Sequence, residues 1–332
     1  MAGNSTRAIL TAFFANLGIA IAKFIAFAFT GSSAMLAEGI HSVADTGNQA
    51  LLILGSRRAR RDADEQYQFG YARERYFWAF VVALVLFTLG SLFALWEGWQ
   101  KLLHPHETTS LQWAIGVLLL SIGLEAFALR TAVKESIPLK GNRSWWRFIR
   151  EARIPELPVV LLEDLGAITG LIIALIAVSL SAITGDPMWD AMGTIAIGLL
   201  LGAIAIVLAI EMKSLLIGES ARPEVYQKIK HAIESSELVE RLILLQTQHL
   251  GPDNILVGAK VEFHGLLTAD EVAQAIDEVE SDVRAVVPEA RPMFIEMDYH
   301  RPDYEPAPVA SADPHEGDHH EESGADPADE VS

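Results

Sequence analysis

Hydrophobic positions gather along the chain into six long runs, near 8–30, 33–56, 76–102, 110–134, 157–183 and 188–217. Each matches or exceeds the roughly 20 apolar residues a helix needs to cross a bilayer. Gly31-Ser32 alone separates the first two runs, and Thr184-Gly185-Asp186-Pro187 the last two, so each pair is expected to be a helical hairpin. Asp186 followed by Pro187 also supplies an N-cap and a first-turn residue. The first run is long and no small-residue cleavage site follows it, which reads as a retained membrane helix and not a signal peptide.

After Gly218 the pattern becomes that of a soluble unit. Residues 224–235 and 269–286 have helical periodicity, and 242–249, 255–263 and 293–299 read as strands, the first two around the turn Gly251-Pro252-Asp253-Asn254. That order, α-β-β-α-β, predicts a small ferredoxin-like domain. The expected fold is thus an α-helical membrane protein of six transmembrane helices (1–217), a C-terminal cytoplasmic ferredoxin-like α/β domain (218–301) and a disordered, acidic, His-containing tail (302–332).

Composition agrees with this division. Hydrophobic residues make up 51% of the 332, and the mean hydropathy is +0.28, more apolar than a soluble domain of this size. The net charge of −18 is concentrated in the tail, which has no Lys or Arg after residue 301. Cysteine is absent, so disulfides and thiolate ligands are excluded and metal ligands must be His, Asp or Glu. The acidic balance argues against nucleic-acid binding, and no phosphate loop, nucleophile elbow or triad spacing suggests an enzyme. Arg57, Arg58, Arg60, Arg61, Arg73 and Arg75 fill the second connection, and Lys134, Lys140, Arg143, Arg147, Arg150 and Arg153 the fourth. The positive-inside rule therefore places both termini in the cytoplasm of a multi-pass cell-membrane protein, the inner membrane if the source is bacterial.

Ionisable residues inside membrane helices are costly and point to function. The second run carries Glu38, His41 and Asp45, three and four residues apart and so on one helical face, with Asn48 continuing the stripe. One imidazole and one carboxylate a turn apart suit a divalent cation and leave positions for another helix. The fifth run offers Glu163 and Asp164, which point about 100° apart, so one is expected to face the site and the other to assist. Two pairings remain open for the buried Lys23: with Asp45, making that carboxylate structural, or with Glu125, leaving the acidic face to a cation.

The segment Ala37-Glu38-Gly39-Ile40-His41-Ser42-Val43-Ala44-Asp45-Thr46-Gly47-Asn48-Gln49, followed by Phe69-Gly70-Tyr71-Ala72-Arg73-Glu74-Arg75, resembles the cation diffusion facilitators. The wording His-Ser-x-x-Asp and Arg-Glu-Arg-Tyr is that of the zinc-transporter-9-like branch. The resemblance implies a homodimer that exchanges cytoplasmic Zn²⁺ or a related ion for protons by alternating access. It assigns the ion to His41, Asp45 and Asp164; among these His41 is the candidate proton carrier, because imidazole ordinarily titrates near neutrality.

The chain also departs from the family pattern. The histidine expected four residues before Asp164 is Val160, so Glu163, Glu38 or water must complete the shell, and Mn²⁺, Fe²⁺, Co²⁺ or Ni²⁺ become alternative ions. Tyr67, Gln68 and Tyr71 stand where many members place a peripheral site. Ile243, Lys260 and Leu266 fall on ligand positions of the cytoplasmic domain, leaving Glu296, Asp298 and His300 as its candidates, with His249 and His264 as scattered alternatives. A charge contact near the dimer interface maps to Arg73 and Glu219. His315, His319 and His320 in the tail suggest weak metal capture. A membrane metal sensor or scaffold that keeps the fold without transport is the rival class.

Overall fold

The structure, a computed structural model, describes residues 10, 13–14, 16–25, 28, 33–104, 111–265 and 267–301, without the side chains of 33–41 and 111–114. The expectations for the tail, its three histidines and Leu266 lie outside these residues, as do the side chains of Glu38 and His41. In chain order the helices that precede the sheet are α1 (Asn16–Ile25), α2 (Ser33–Arg58), α3 (Glu74–Leu103), α4 (Leu111–Lys140), α5 (Trp145–Glu151), α6 (Glu156–Thr184), α7 (Met188–Ile217) and α8 (Pro223–Glu234). Strands β1 (Val239–Gly251) and β2 (Asn254–Phe263), helix α9 (Ala269–Val286) and strand β3 (Ala290–Met297) follow.

Among the described residues, α3, α4, α6 and α7 are long and apolar enough to cross a membrane. Their outward positions carry exposed large apolar side chains, among them Leu89, Phe93, Ile176, Leu199 and Ile206. Such a surface is stable against lipid, not water. The protein is a helical membrane protein, and its inner faces meet in a core that includes Leu52, Tyr76, Val82, Val160, Leu208 and Met212. Without a hydrophobic drive between helices in lipid, close packing of small residues has to hold them together. On the α3–α7 contact a Cβ at Gly198 would lie 2.8 Å from Leu95 Cγ, and one at Gly98 2.6 Å from Ile195. Within α3 a π turn at Leu86–Leu92 presents Ser91, whose Oγ donates to the carbonyl of Gly198 at 2.8 Å.

In the C-terminal unit β1 and β2 pair antiparallel, and α9 is the crossover that returns β3 parallel to β2, giving the order β1-β2-β3. Buried and half-buried residues alternate along all of β2, so one sheet face lies under α8 and α9 through Ile229, Ile233, Val279 and Val283. Helix α9 starts with a capping box: Thr268 accepts from the Glu271 amide, and the Glu271 carboxylate accepts from the Thr268 amide at 2.7 Å. Strand β3 begins three residues before the stretch expected from its periodicity. It accommodates Pro292 because it is an edge strand, with a register irregularity opposite that proline.

The sheet unit is joined to the helices through the end of β1. Gln248 Nε2 donates to the Ile217 carbonyl at 3.2 Å, and the His249 amide to the Glu219 carbonyl at 2.8 Å. Gly251 lies against Ala72, where a Cβ would come within 2.4 Å.

Candidate metal-translocation site

The amphipathic register of α2 sets a polar stripe into the bundle. Asp45, Asn48 and Gln49 follow at i, i+3 and i+4, and all three are buried. On α6, Glu163 and Asp164 are buried as well, 6% and 2% exposed, and Glu125 of α4 is 4% exposed. Asn48 bridges the helices, its Nδ2 donating to Glu163 Oε1 at 2.8 Å. The carboxyl groups of Asp45 and Glu125 are close enough to act electrostatically on both Glu163 and Asp164. Glu163 Oε2 and Asp164 Oδ2 are buried with no hydrogen-bond partner.

Lys23 of α1 is buried nearby, its ammonium donating to Ser42 Oγ at 2.8 Å. Four carboxyl groups therefore share the region with one ammonium among the described residues. Buried carboxylates with uncommitted oxygens are a ligand set for a divalent cation. In this conformation no three described His, Asp or Glu side chains converge on one point, and the side chains of His41 and Glu38 lie outside the description. Val160, where a histidine was expected, is 2% exposed and packed in the apolar core.

The remaining candidates fare differently. Arg73 does not pair with Glu219: its Nε is buried without a partner, and Arg153 forms the salt bridge to Glu219 instead. Arg153 lies just before α6 and also donates from Nη2 to the Ser220 carbonyl at 3.4 Å, whereas Arg73 stands at the N-cap of α3. Glu296 and Asp298 are both engaged by Lys260, whose Nζ lies 3.2 and 3.3 Å from their carboxylates. The Lys260 ammonium holds the Asp298 carboxyl below its ordinary range, after the stronger effect of the Tyr299 amide. His300 is exposed and forms no metal-holding group with them, so the cation of this patch is the lysine's own.

The loop before α3 folds around Asp64. Its Oδ1 accepts from the amides of Gln66 and Tyr67, and its Oδ2 from the Tyr71 hydroxyl at 2.5 Å. The Tyr71 hydroxyl is the chief reason that this carboxyl titrates below its usual value. Gly70 turns the chain there at φ +77°, a conformation that side chains resist.

Sequence reasoning missed a deeply buried ion pair. Arg75 of α3 meets Glu156 of α6 twice, Nε to Oε1 at 2.5 Å and Nη2 to Oε2 at 2.9 Å, and its Nη1 lies 3.6 Å from Asp253 in the β1–β2 turn. The signal was present: Arg75 opens the third apolar run and Glu156 the fifth, and each charge needs a partner at the membrane edge.

Long apolar helices that keep carboxyl groups buried inside the bundle, away from lipid, mark a membrane protein with a functional site within the bilayer. Residues 9–217 match the cation efflux transmembrane domain. The chain belongs to the cation efflux family, a family of membrane transporters and not of enzymes. It is 32% identical to the mitochondrial proton-coupled zinc antiporter SLC30A9 of mouse over 271 residues, 78% of this chain and 48% of that protein. Metal tolerance protein C4 of Arabidopsis thaliana is 31% identical over 79% of this chain and 58% of its own length. Magnetosome protein MamB of Magnetospira is 24% identical over 83% and 91%. The chain spans about half the length of the SLC30A9 proteins it matches.

Proposed function

We propose that this protein carries a divalent cation, Zn²⁺ first among candidates, out of the cytoplasm in exchange for protons by alternating access. The reading rests on one observation above the rest: Glu163 and Asp164 are buried in a membrane helix with oxygens that no donor satisfies, and Glu163 is joined through Asn48 to the stripe that begins at Asp45. His41, Asp45 and Asp164 are the proposed ligands, with Glu163 and Glu38 completing or supporting the shell. The names of the animal relatives, proton-coupled zinc antiporters, favour the same ion and the same coupling. The proposed setting is a homodimer of six-span protomers in a cell membrane, both termini cytoplasmic, with the sheet unit as a ferredoxin-like domain.

The coupling follows from ligand chemistry. Carboxylates and imidazole release protons when they coordinate a metal and take them up when it leaves, so loading and unloading the site moves protons the opposite way. Imidazole is the side chain whose ordinary titration range lies nearest neutrality, so His41 is the proposed proton carrier. Uptake by proteoliposomes under an imposed pH gradient tests this directly. Zn²⁺ entry should be driven by the gradient and abolished in both Asp45→Ala and Asp164→Ala; transport that persists in these variants, or ignores the gradient, refutes it.

Val160 supports a second reading of the ion. Its burial in the core leaves α6 without an imidazole beside Asp164, and an oxygen-rich shell suits Mn²⁺, Fe²⁺ or Co²⁺ better than it suits Zn²⁺. The same vesicles assayed with each ion separate the two.

A further inference from the structure

The unsatisfied atoms in the bundle extend beyond the carboxylates. Asn48 Oδ1 and both side-chain atoms, Oε1 and Nε2, of Gln49 are also buried without a hydrogen-bond partner. Gln49 is fully buried and Asn48 is 3% exposed. Neither residue is needed by the site proposed above. A bilayer offers no water to polar atoms left in this state, so an amide retained there asks for a ligand. Asn48 and Glu163 are already in contact through Nδ2 and Oε1, which leaves the one oxygen of Asn48, Oδ1, and the second oxygen of Glu163, Oε2, uncommitted. Gln49 stands one full turn from Asp45 on the same face, toward the Arg57-Arg58 end of α2.

We propose that Asn48, Gln49 and Glu163 form a second cation station, one helical turn from Asp45 toward the basic end of α2, where a divalent cation is held by oxygens alone. The station rests on the transport reading above, and it gives that reading an order of events. An ion arriving from the Arg57-Arg58 side meets one carboxylate and two neutral carboxamides before it meets Asp45 and Asp164. A single negative charge attracts the ion, and neutral oxygens hold it weakly enough to pass it on. By donating to Oε1, Asn48 also fixes Glu163 so that Oε2 is the oxygen presented. Carboxamide oxygens in this role favour hard cations, so the station selects for Mn²⁺-like ions more strongly than for Zn²⁺.

The test uses the full chain in proteoliposomes, with initial rates of Zn²⁺ and Mn²⁺ uptake measured against concentration and normalised to protein incorporated. Asn48→Leu and Gln49→Leu should each raise the half-saturating concentration by about tenfold or more, the size of effect seen when a group supporting a metal site is lost. The rise should be steeper for Mn²⁺. Asn48→Asp and Gln49→Glu keep an oxygen at each position and add a charge, and should lower the half-saturating concentration of Mn²⁺. Gln49→Leu and Asn48→Leu that transport both ions with wild-type half-saturation overturn the station. Should the leucine variants fail to incorporate, Gln49→Glu decides: tighter Mn²⁺ saturation supports the station, and unchanged or weaker saturation overturns it. Uptake that survives in both Asp45→Ala and Asp164→Ala is a different failure, since it removes the transport reading itself.

Discussion

Replacing Arg75 with methionine removes the guanidinium and keeps most of the apolar stem. Its partner Glu156 is 1% exposed on its side chain, so the carboxylate left behind has no access to water. Removing one member of a buried, bidentate pair costs about 3–5 kcal/mol, because the other charge stays desolvated and alone. The Asp253 contact is of another kind: at 3.6 Å and with Asp253 49% exposed, it belongs with surface pairs worth about 0–1 kcal/mol. Arg75→Met should therefore lower the thermal midpoint of the purified protein by roughly 6–20 °C. Asp253→Asn should move it far less. The double variant Arg75→Met, Glu156→Leu, which removes both charges, should recover most of the loss. The assay is thermal unfolding in detergent followed by tryptophan fluorescence, with transport by the same preparations. Equal midpoints for Arg75→Met and wild type would refute the claim that Glu156 depends on this guanidinium. A double variant no better than the single would show that the cost lies in lost packing and not in a stranded charge.

Three further outcomes follow from the structure. Burial, and then the Arg153 charge nearby, pulls the His249 pKa down to about 4 from 6.5, so the unfolded chain binds a proton that the folded unit refuses. Its contribution is intact above pH 6.5 and is lost as the pH falls toward 4, by roughly 3 kcal/mol at the limit; unfolding midpoints measured from pH 7.5 to 4.5 should fall, and His249→Gln should flatten that fall. Gly198→Leu forces side-chain atoms into Leu95 and should cost about 1–3 kcal/mol or block assembly, whereas Gly170→Ala, whose Cβ would lie at an ordinary 3.6 Å from Ile197, should be tolerated; melting temperatures of both variants check the contrast. Thr268→Ala removes the cap of α9 and should destabilise the sheet unit by about 1 kcal/mol, read as a lower urea midpoint.

Period and charge made much of the architecture legible before any coordinates. The helix over 269–286 and the strand at 255–263 are marked by uninterrupted periodicity, and they stand in the structure at those residues. Strand β1 begins at Val239, earlier than its apolar core suggests, because Val239 and Arg241 pair with Phe263 and Glu262 beyond it. Partners distant in the chain were the harder part. Arg73 and Arg75 differ by two positions and so point about 200° apart around a helix. Choosing between them required knowing which side α6 occupies, and Glu156 lies 81 residues away. The sequence says that each of these charges needs a partner at the membrane edge, and nothing local in it says which.

The two acids of α6 show how a correct local rule can give an incomplete expectation. Adjacent helical residues diverge by about 100°, and in a helix with one lipid face that divergence puts one of them outside the site. Helix α6 is not of that kind at this depth. It packs on α4 and α7 and also contacts α3, and Asn48 brings α2 to it as well. Leu161 and Leu162, just before the pair, are buried along with both acids. Glu163 is thus hydrogen-bonded to Asn48 of α2, and Asp164 is buried beside it with Oδ2 unpartnered. One helix thereby carries one carboxyl group tied to α2 and one with an uncommitted oxygen, the arrangement that the proposed passage of an ion between ligand sets calls for.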